Sequence, residues 1–261
     1  MRLRSLADAK QARITIMSIL DSLFSRNAGP SAFRLRRALK HATETHGDPA
    51  TRVAALDRLA GWGTPEAIAA LLRRFTIQVP QGSMDLEEKQ YTVRLLAQMG
   101  KPAVEPILRY LHSQGEVTWP VRALREILPP EEFHAALKNV LDGLGSGYTR
   151  WPEAKTVFIA HLPDEAFPMM RETVLRILED ENDDVCIAAA DYLARNGDDE
   201  VREHLIEAFL NSESRPRVRG RILDHFCDRE WPVKGYRKKV EEAIPEPFYL
   251  TSRGTVKRRS V

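Results

Sequence analysis

The chain has little cysteine, few aromatic residues and no long apolar run, and each shortage closes off a class of protein. Only two of its 261 residues are cysteine, Cys186 and Cys227, too few for a disulfide-stapled fold or a zinc site of four thiolates. Both sit in helix-like runs far apart in sequence and read as reduced core residues of a cytoplasmic protein. No stretch approaches the ~18 uninterrupted apolar residues of a membrane span, so no membrane insertion is expected. Aromatic residues make up 7%, hydrophobic residues 43% and charged residues 29%, the mix of a soluble chain that can bury a substantial core in one large domain or two small ones.

Signatures of catalysis are equally sparse. The seven histidines (His41, His46, His112, His134, His161, His204 and His225) include no His-Glu dipeptide and no His-x-x-x-His pair, the spacings that set metal ligands on one helix face. No Gly-x-Ser-x-Gly occurs, and neither cysteine has a thiolate-stabilising context. The glycine cluster Gly143, Gly145, Gly147 is not followed by Gly-Lys-Ser/Thr, so it is no phosphate loop and reads as a connection. The acidic run Glu179 to Asp184 lacks the alternation of a calcium loop and ends where a helix needs an N-cap. No metal, cofactor or enzymatic activity is expected.

Charge is small in total and uneven in place. The net is +2, but residues 1–46 carry +6, residues 47–210 carry −10 and residues 211–261 carry +6. Such basic ends can steer an acidic partner or nucleic acid even when the sum is near zero.

A repeat organises most of the chain. Turns recur at Gly61-Trp62-Gly63-Thr64-Pro65, Met99-Gly100-Lys101-Pro102, Leu128-Pro129-Pro130, Leu162-Pro163-Asp164 and Asn196-Gly197-Asp198-Asp199. Each is flanked by apolar-periodic runs such as Val53–Ala60 and Ala67–Leu72, which gives helix, tight turn, helix. The 16 prolines mostly punctuate: Pro49, Pro120, Pro152 and Pro216 open first helices, and Pro65, Pro102 and Pro232 open second ones. Asp85 and Glu88 have the spacing of a capping box. The helix pairs are expected over 48–76, 85–113, 118–143, 150–180, 183–211 and 215–244.

Each helix carries one apolar face, as in Val93, Leu95, Leu96 followed by Val104, Ile107, Leu108, Leu111. One pair cannot bury both its faces alone, so pairs must stack. With Asp184-Val185, Ala189-Ala190, Leu193 and Gly197, and with Leu96, Gly100, Ala103, Pro106 and Leu108, residues 48–244 resemble the short bacterial form of the HEAT-repeat family. The resemblance implies an all-α fold, a right-handed α-solenoid of about six HEAT-like helix pairs. Residues 1–46 are expected as a helical cap, 47–244 as the solenoid and 245–261 as a hairpin and basic tail. Phe248-Tyr249-Leu250 and Thr255-Val256-Lys257-Arg258, joined through Gly254, supply the short C-terminal β-hairpin, which either caps the solenoid or orders on a partner. Near the start, Ile14, Ile16, Met17, Ile19, Leu20, Leu23 and Phe24 follow Arg2, Arg4, Lys10 and Arg13. Asp21 interrupts this run, which fits a capping amphipathic helix better than a signal peptide, and Met17 is an alternative initiator.

Candidate binding residues come from arginines and tryptophans. Trp119-Pro120, Trp151-Pro152 and Trp231-Pro232 each stand where a helix is expected to begin, as a hydrophobic staple or as an aromatic surface for a partner. Arg73, Arg74 and Arg109, with Lys138, Arg171 and Arg202, fall on expected second helices, which line the inner face of HEAT-like stacks, and Arg122 and Arg125 follow Trp119. The run Arg215, Arg217, Arg219, Arg221 makes a basic end, with alternation by two spreading the side chains around the helix. The residues Thr76 to Met84 read as an insertion between pairs, a common place for binding.

The leading functional expectation is a non-enzymatic scaffold holding a protein partner on its inner face. The nucleic-acid alternative works through the basic ends, with the architecture of the HEAT-like alkylpurine DNA glycosylases; reversing Arg217 and Arg219 to Glu would then abolish binding. A further alternative, by fold analogy with the phycobilin lyases, is a tetrapyrrole binder. The missing His-Glu ligands count against resemblance to the di-iron HEAT-repeat deoxyhypusine hydroxylases.

Overall fold

The computed structural model describes residues 29–259, and the apolar run from Ile14 to Phe24 with its expected cap lies outside them. Thirteen α-helices and one two-stranded sheet make up the described chain, an all-α fold with a C-terminal hairpin. The helices are α1 (Ala32–Ala42), α2 (Pro49–Trp62), α3 (Pro65–Leu72), α4 (Gly82–Met99), α5 (Lys101–Leu111), α6 (Thr118–Ile127) and α7 (Pro130–Leu144). They continue with α8 (Pro152–Ala160), α9 (Phe167–Ile177), α10 (Asp183–Asn196), α11 (Asp199–Asn211), α12 (Pro216–Asp228) and α13 (Arg237–Ala243). No helix among the described residues is long and apolar enough to cross a membrane.

Local chemistry explains these boundaries. Asp48 accepts the Thr51 N–H at 2.8 Å in front of Pro49, and Thr64 accepts the Ala67 N–H in front of Pro65. Asn182 and Asp198 each accept two first-turn N–H groups of α10 and α11, so the acidic run before α10 does end in a cap. Two expected openings fail. Pro120 is the third residue of α6 rather than its first, and Pro232 opens no helix, because it forms a β-bridge with Thr255 where the hairpin docks. Proline's missing N–H suits that exposed edge as well as it suits a helix start.

Two compact units divide the chain. The first ends at Ala103 and the second begins at Val104, so the boundary cuts through α5. In the first unit, α2 packs on α1, α3 and α4 around Leu56, Leu59, Ile68, Leu71 and Leu96. In the second, α10 packs on both α8 and α12, while α9 packs on α7 and α13 on α11. First helices therefore meet first helices and second helices meet second ones. Strands β1 (Phe248–Leu250) and β2 (Val256–Arg258) pair antiparallel with Tyr249 opposite Lys257. The turn places Gly254 at φ 79°, a conformation that costs a side-chain-bearing residue. The hairpin is held down by the Val233 N–H on the Gly254 carbonyl at 2.8 Å and by β2 against α12.

Asp85 and Glu88 do not form the expected capping box. Helix α4 starts three residues before Asp85, and both carboxylates turn inward to meet buried cations. Glu88 receives Arg52 Nη2 at 2.8 Å and Arg74 Nε at 3.0 Å, and Asp85 receives Arg74 Nη2 at 2.8 Å and Lys89 Nζ at 2.7 Å. Asp85 also accepts the Val79 N–H. The Thr76 to Met84 insertion is thus largely absorbed, its middle tied to Asp85 and its end lying in α4. Buried ions need this full complement of partners, and the guanidinium groups outbid the cap for them. In the second unit, Lys155 plays a comparable part: its ammonium, fully buried, reaches Asp180 Oδ2 at 2.6 Å and the Gly147 carbonyl at 2.9 Å, which pins the glycine connection.

Removing one member of the first network should be costly. Glu88→Gln leaves Arg52, Arg74 and Lys89 with one carboxylate, and a loss of about 3–5 kcal/mol is expected from an uncompensated buried charge. Urea denaturation followed by circular dichroism measures it; a midpoint unchanged from the parent would show that the network carries no such weight.

Candidate functional site

The residues expected to form a basic binding stripe meet separate partners. Arg74 is fully buried in the ion network, so it cannot reach a ligand, while its neighbour Arg73 is exposed on the 3-10 turn after α3. Arg109 on α5 pairs with Glu105 one turn away at 3.2 Å. Arg122 lies over the Trp119 ring at 4.8 Å, both on α6, and is the one expected pair that the structure does join. Arg125 lies over Phe133 at 5.3 Å and donates to the His161 carbonyl. Trp119 is therefore inside its helix rather than a staple ahead of it. Trp151 caps α8 and covers Gly115, where an added Cβ would meet its ring at 2.7 Å. Trp231 follows α12 and packs edge-on to Phe226 at 5.6 Å.

The basic run of α12 is likewise engaged from within. Arg215 meets Asp183 at 2.7 Å, Arg217 meets Asp184 at 2.6 Å and Arg221 meets Asp191 at 2.6 Å, so the acidic start of α10 neutralises the arginines one helix pair later. Arg219 points the other way, over the Phe209 ring at 4.7 Å and onto the Ala243 carbonyl. Alternation by two does spread these side chains around the helix, but they do not form an open basic end.

What the second unit does build is a polar groove along α11. A cavity of about 640 Å³ is lined by Glu207, Leu210, Asn211, Arg219, Tyr236 and Lys239, among others. A second, of about 320 Å³, shares Glu207 and Asn211 and continues over Leu175, Leu178, His204 and Arg215. Glu207 and Asn211 are one turn apart, so both project from the same side of α11. Tyr236 donates to Glu207 Oε1 at 2.8 Å, and this acceptor raises its phenol above the usual value. Among the described residues, Arg219 Nε and Arg215 Nη2 are shielded from water without a hydrogen-bond partner. Donors, acceptors and leucine side chains in alternation suit an extended polypeptide. The sequence signal for this site was weak: Glu207 belongs to no motif, and Tyr236 arrives only because the chain turns back after α12.

The cysteines behave as core residues. Burial pushes the Cys186 thiol up, and it donates to the Asp180 carbonyl at 3.0 Å. The Tyr192 phenol, pushed up to about 12 by burial, donates to the Pro163 carbonyl.

Asp191 ties α10 to α12 and makes an acid-sensitive joint. One of its oxygens lies 2.6 Å from both His225 Nε2 and Arg221 Nε. Burial works to raise its pKa, but the hydrogen bonds from His225 and Arg221 outweigh it and hold the carboxyl below 3.8. A carboxyl lowered on folding adds stability above its unfolded pKa and loses it as pH falls through the folded one. Asp191→Asn should therefore lower stability at neutral pH and flatten its decline below about pH 4. Urea midpoints across that range check it, and parallel curves for parent and variant would refute the joint. Compared with known protein families, with characterised proteins and with solved structures, the chain matches none.

Proposed function

We propose that the helix pairs are HEAT-like repeats stacked as a right-handed α-solenoid, and that the chain is a non-enzymatic scaffold that holds a protein partner along its second helices. The stacking order within the second unit supports the repeat reading: α8, α10 and α12 follow one another, as do α7 with α9 and α11 with α13. In such a stack the second helices form the inner face, and the groove along α11 lies on them. The observation that carries the reading is the continuity of the two cavities through Glu207 and Asn211, which makes a track long enough for several residues of a partner chain. The arginines and carboxylates along it would fix the partner's register, and the leucines its anchoring side chain.

Site-specific photo-crosslinking in native lysate tests the track. A photoreactive residue at Asn211 should give a discrete protein adduct that is absent when the same residue replaces the exposed Glu153 of α8. Glu207→Arg should remove the adduct, because it reverses the charge shared by both cavities. Equal labelling from both positions, or none from Asn211, would overturn the proposal.

A further inference from the structure

The first unit holds an open cavity of different chemistry. About 620 Å³ in volume, it is lined by Ser31, Phe33, Arg34, Arg37, Arg58 and Trp62. Helical spacing explains the convergence. Phe33, Arg34 and Arg37 share one side of α1, Arg58 and Trp62 stand one turn apart on α2, and these two helices pack together.

Three guanidinium groups and two aromatic side chains meet here with no carboxylate among the described lining residues. Among the described residues, none of the three arginines has an ion-pair partner, in contrast to Arg215, Arg217 and Arg221 of α12. Helix α1 has no acidic residue in its first turn, so its N-terminal peptide dipoles add to the positive field. Phe33 is 75% exposed, a large apolar ring left in water beside those cations.

We propose that this cavity binds single-stranded nucleic acid, RNA or DNA, with a base stacked on Phe33 and the flanking phosphates held by Arg34, Arg37 and Arg58. An acidic peptide would use the arginines but offers a ring to the exposed face of Phe33 only where it carries an aromatic residue. A strand supplies a planar ring and an anion from every nucleotide, the combination that sequence-tolerant single-strand sites use. A duplex keeps its base faces inside its own stack and leaves none free for Phe33. The cavity volume falls within the range of about 300–1,000 Å³ that takes a ligand of nucleotide size. Trp62, half-buried at the end of α2, closes the cavity next to Arg58 and serves as a reporter. This inference goes beyond the protein-partner reading and uses other residues, so either can fail alone.

Fluorescence anisotropy with labelled oligo-uridine and oligo-thymidine of about ten nucleotides tests it. Both single strands should bind more tightly than a duplex of equal length, and quench tryptophan emission in the parent but not in Trp62→Phe. With three phosphates held, affinity should fall about 20-fold between about 50 and 200 mM salt. Phe33→Ala should weaken binding about 5- to 150-fold with the helical circular dichroism unchanged, and Arg37→Glu should weaken it further, whereas Arg217→Ala should leave it unaltered. A duplex bound as tightly as a strand, or a Phe33→Ala variant equal to the parent, would overturn base stacking at this site. Binding of labelled polyglutamate with no affinity for either oligonucleotide would replace the strand with an acidic protein.

Discussion

A buried cation at the fourth position of a first helix organises both units. Pro49 and Pro152 open α2 and α8, and three residues later Arg52 and Lys155 point inward, almost or wholly removed from water. Each reaches back to a carbonyl of the preceding connection, Gly47 for Arg52 and Gly147 for Lys155, and across to a carboxylate, Glu88 or Asp180. An ion so placed cannot be left half-paired, because the cost of a buried charge without partners exceeds most single packing contacts. The loop, the first helix and the neighbouring element are thereby fixed together.

The same logic at the surface has a different consequence. Ion pairs between α10 and α12 link residues about one helix pair apart in sequence, Asp183 with Arg215 and Asp184 with Arg217. The second of these pairs is well over half exposed on both sides, so it contributes little stability. What it does is cancel charge. The acidic middle and the basic end, which as segment totals look like opposed fields, interlock side chain by side chain. Lys257 with Glu230 and Arg258 with Asp224 extend the cancellation into the hairpin.

Much of the fold was legible because its signals are local. Proline at N1, Asp or Asn as the cap and apolar three-four spacing are written within one turn of each helix, and the hairpin shows in Phe248-Tyr249-Leu250 and Gly254. The failures share a cause. Asp85 and Glu88 have the spacing of a cap, but their role was decided by Arg52 and Arg74, which reach them only after three elements have packed. Pro232 resembled a helix start because its partner, Thr255, reaches it only when the hairpin folds back. The open basic end expected of α12 was misjudged for the same reason: which face of α12 meets α10 is a tertiary fact, and segment charge sums contain no trace of it.

An arginine's availability depends on the acids of the helix packed against it. In α12 every arginine of the run finds an acid or a carbonyl on a neighbouring helix, because α10 begins with Asp183 and Asp184 and exposes Asp191 one face along. Helix α1 has a different neighbour. The helix it packs on, α2, exposes Arg58 and Trp62 toward Arg34 and Arg37, and its own acid, Asp57, is committed to the Tyr91 hydroxyl of α4. Like charges gathered beside an exposed ring repel one another without compensation from the described chain. Such an arrangement lowers the free energy of a complex with an anion more than that of the protein alone, and this difference is the physical content of a binding site.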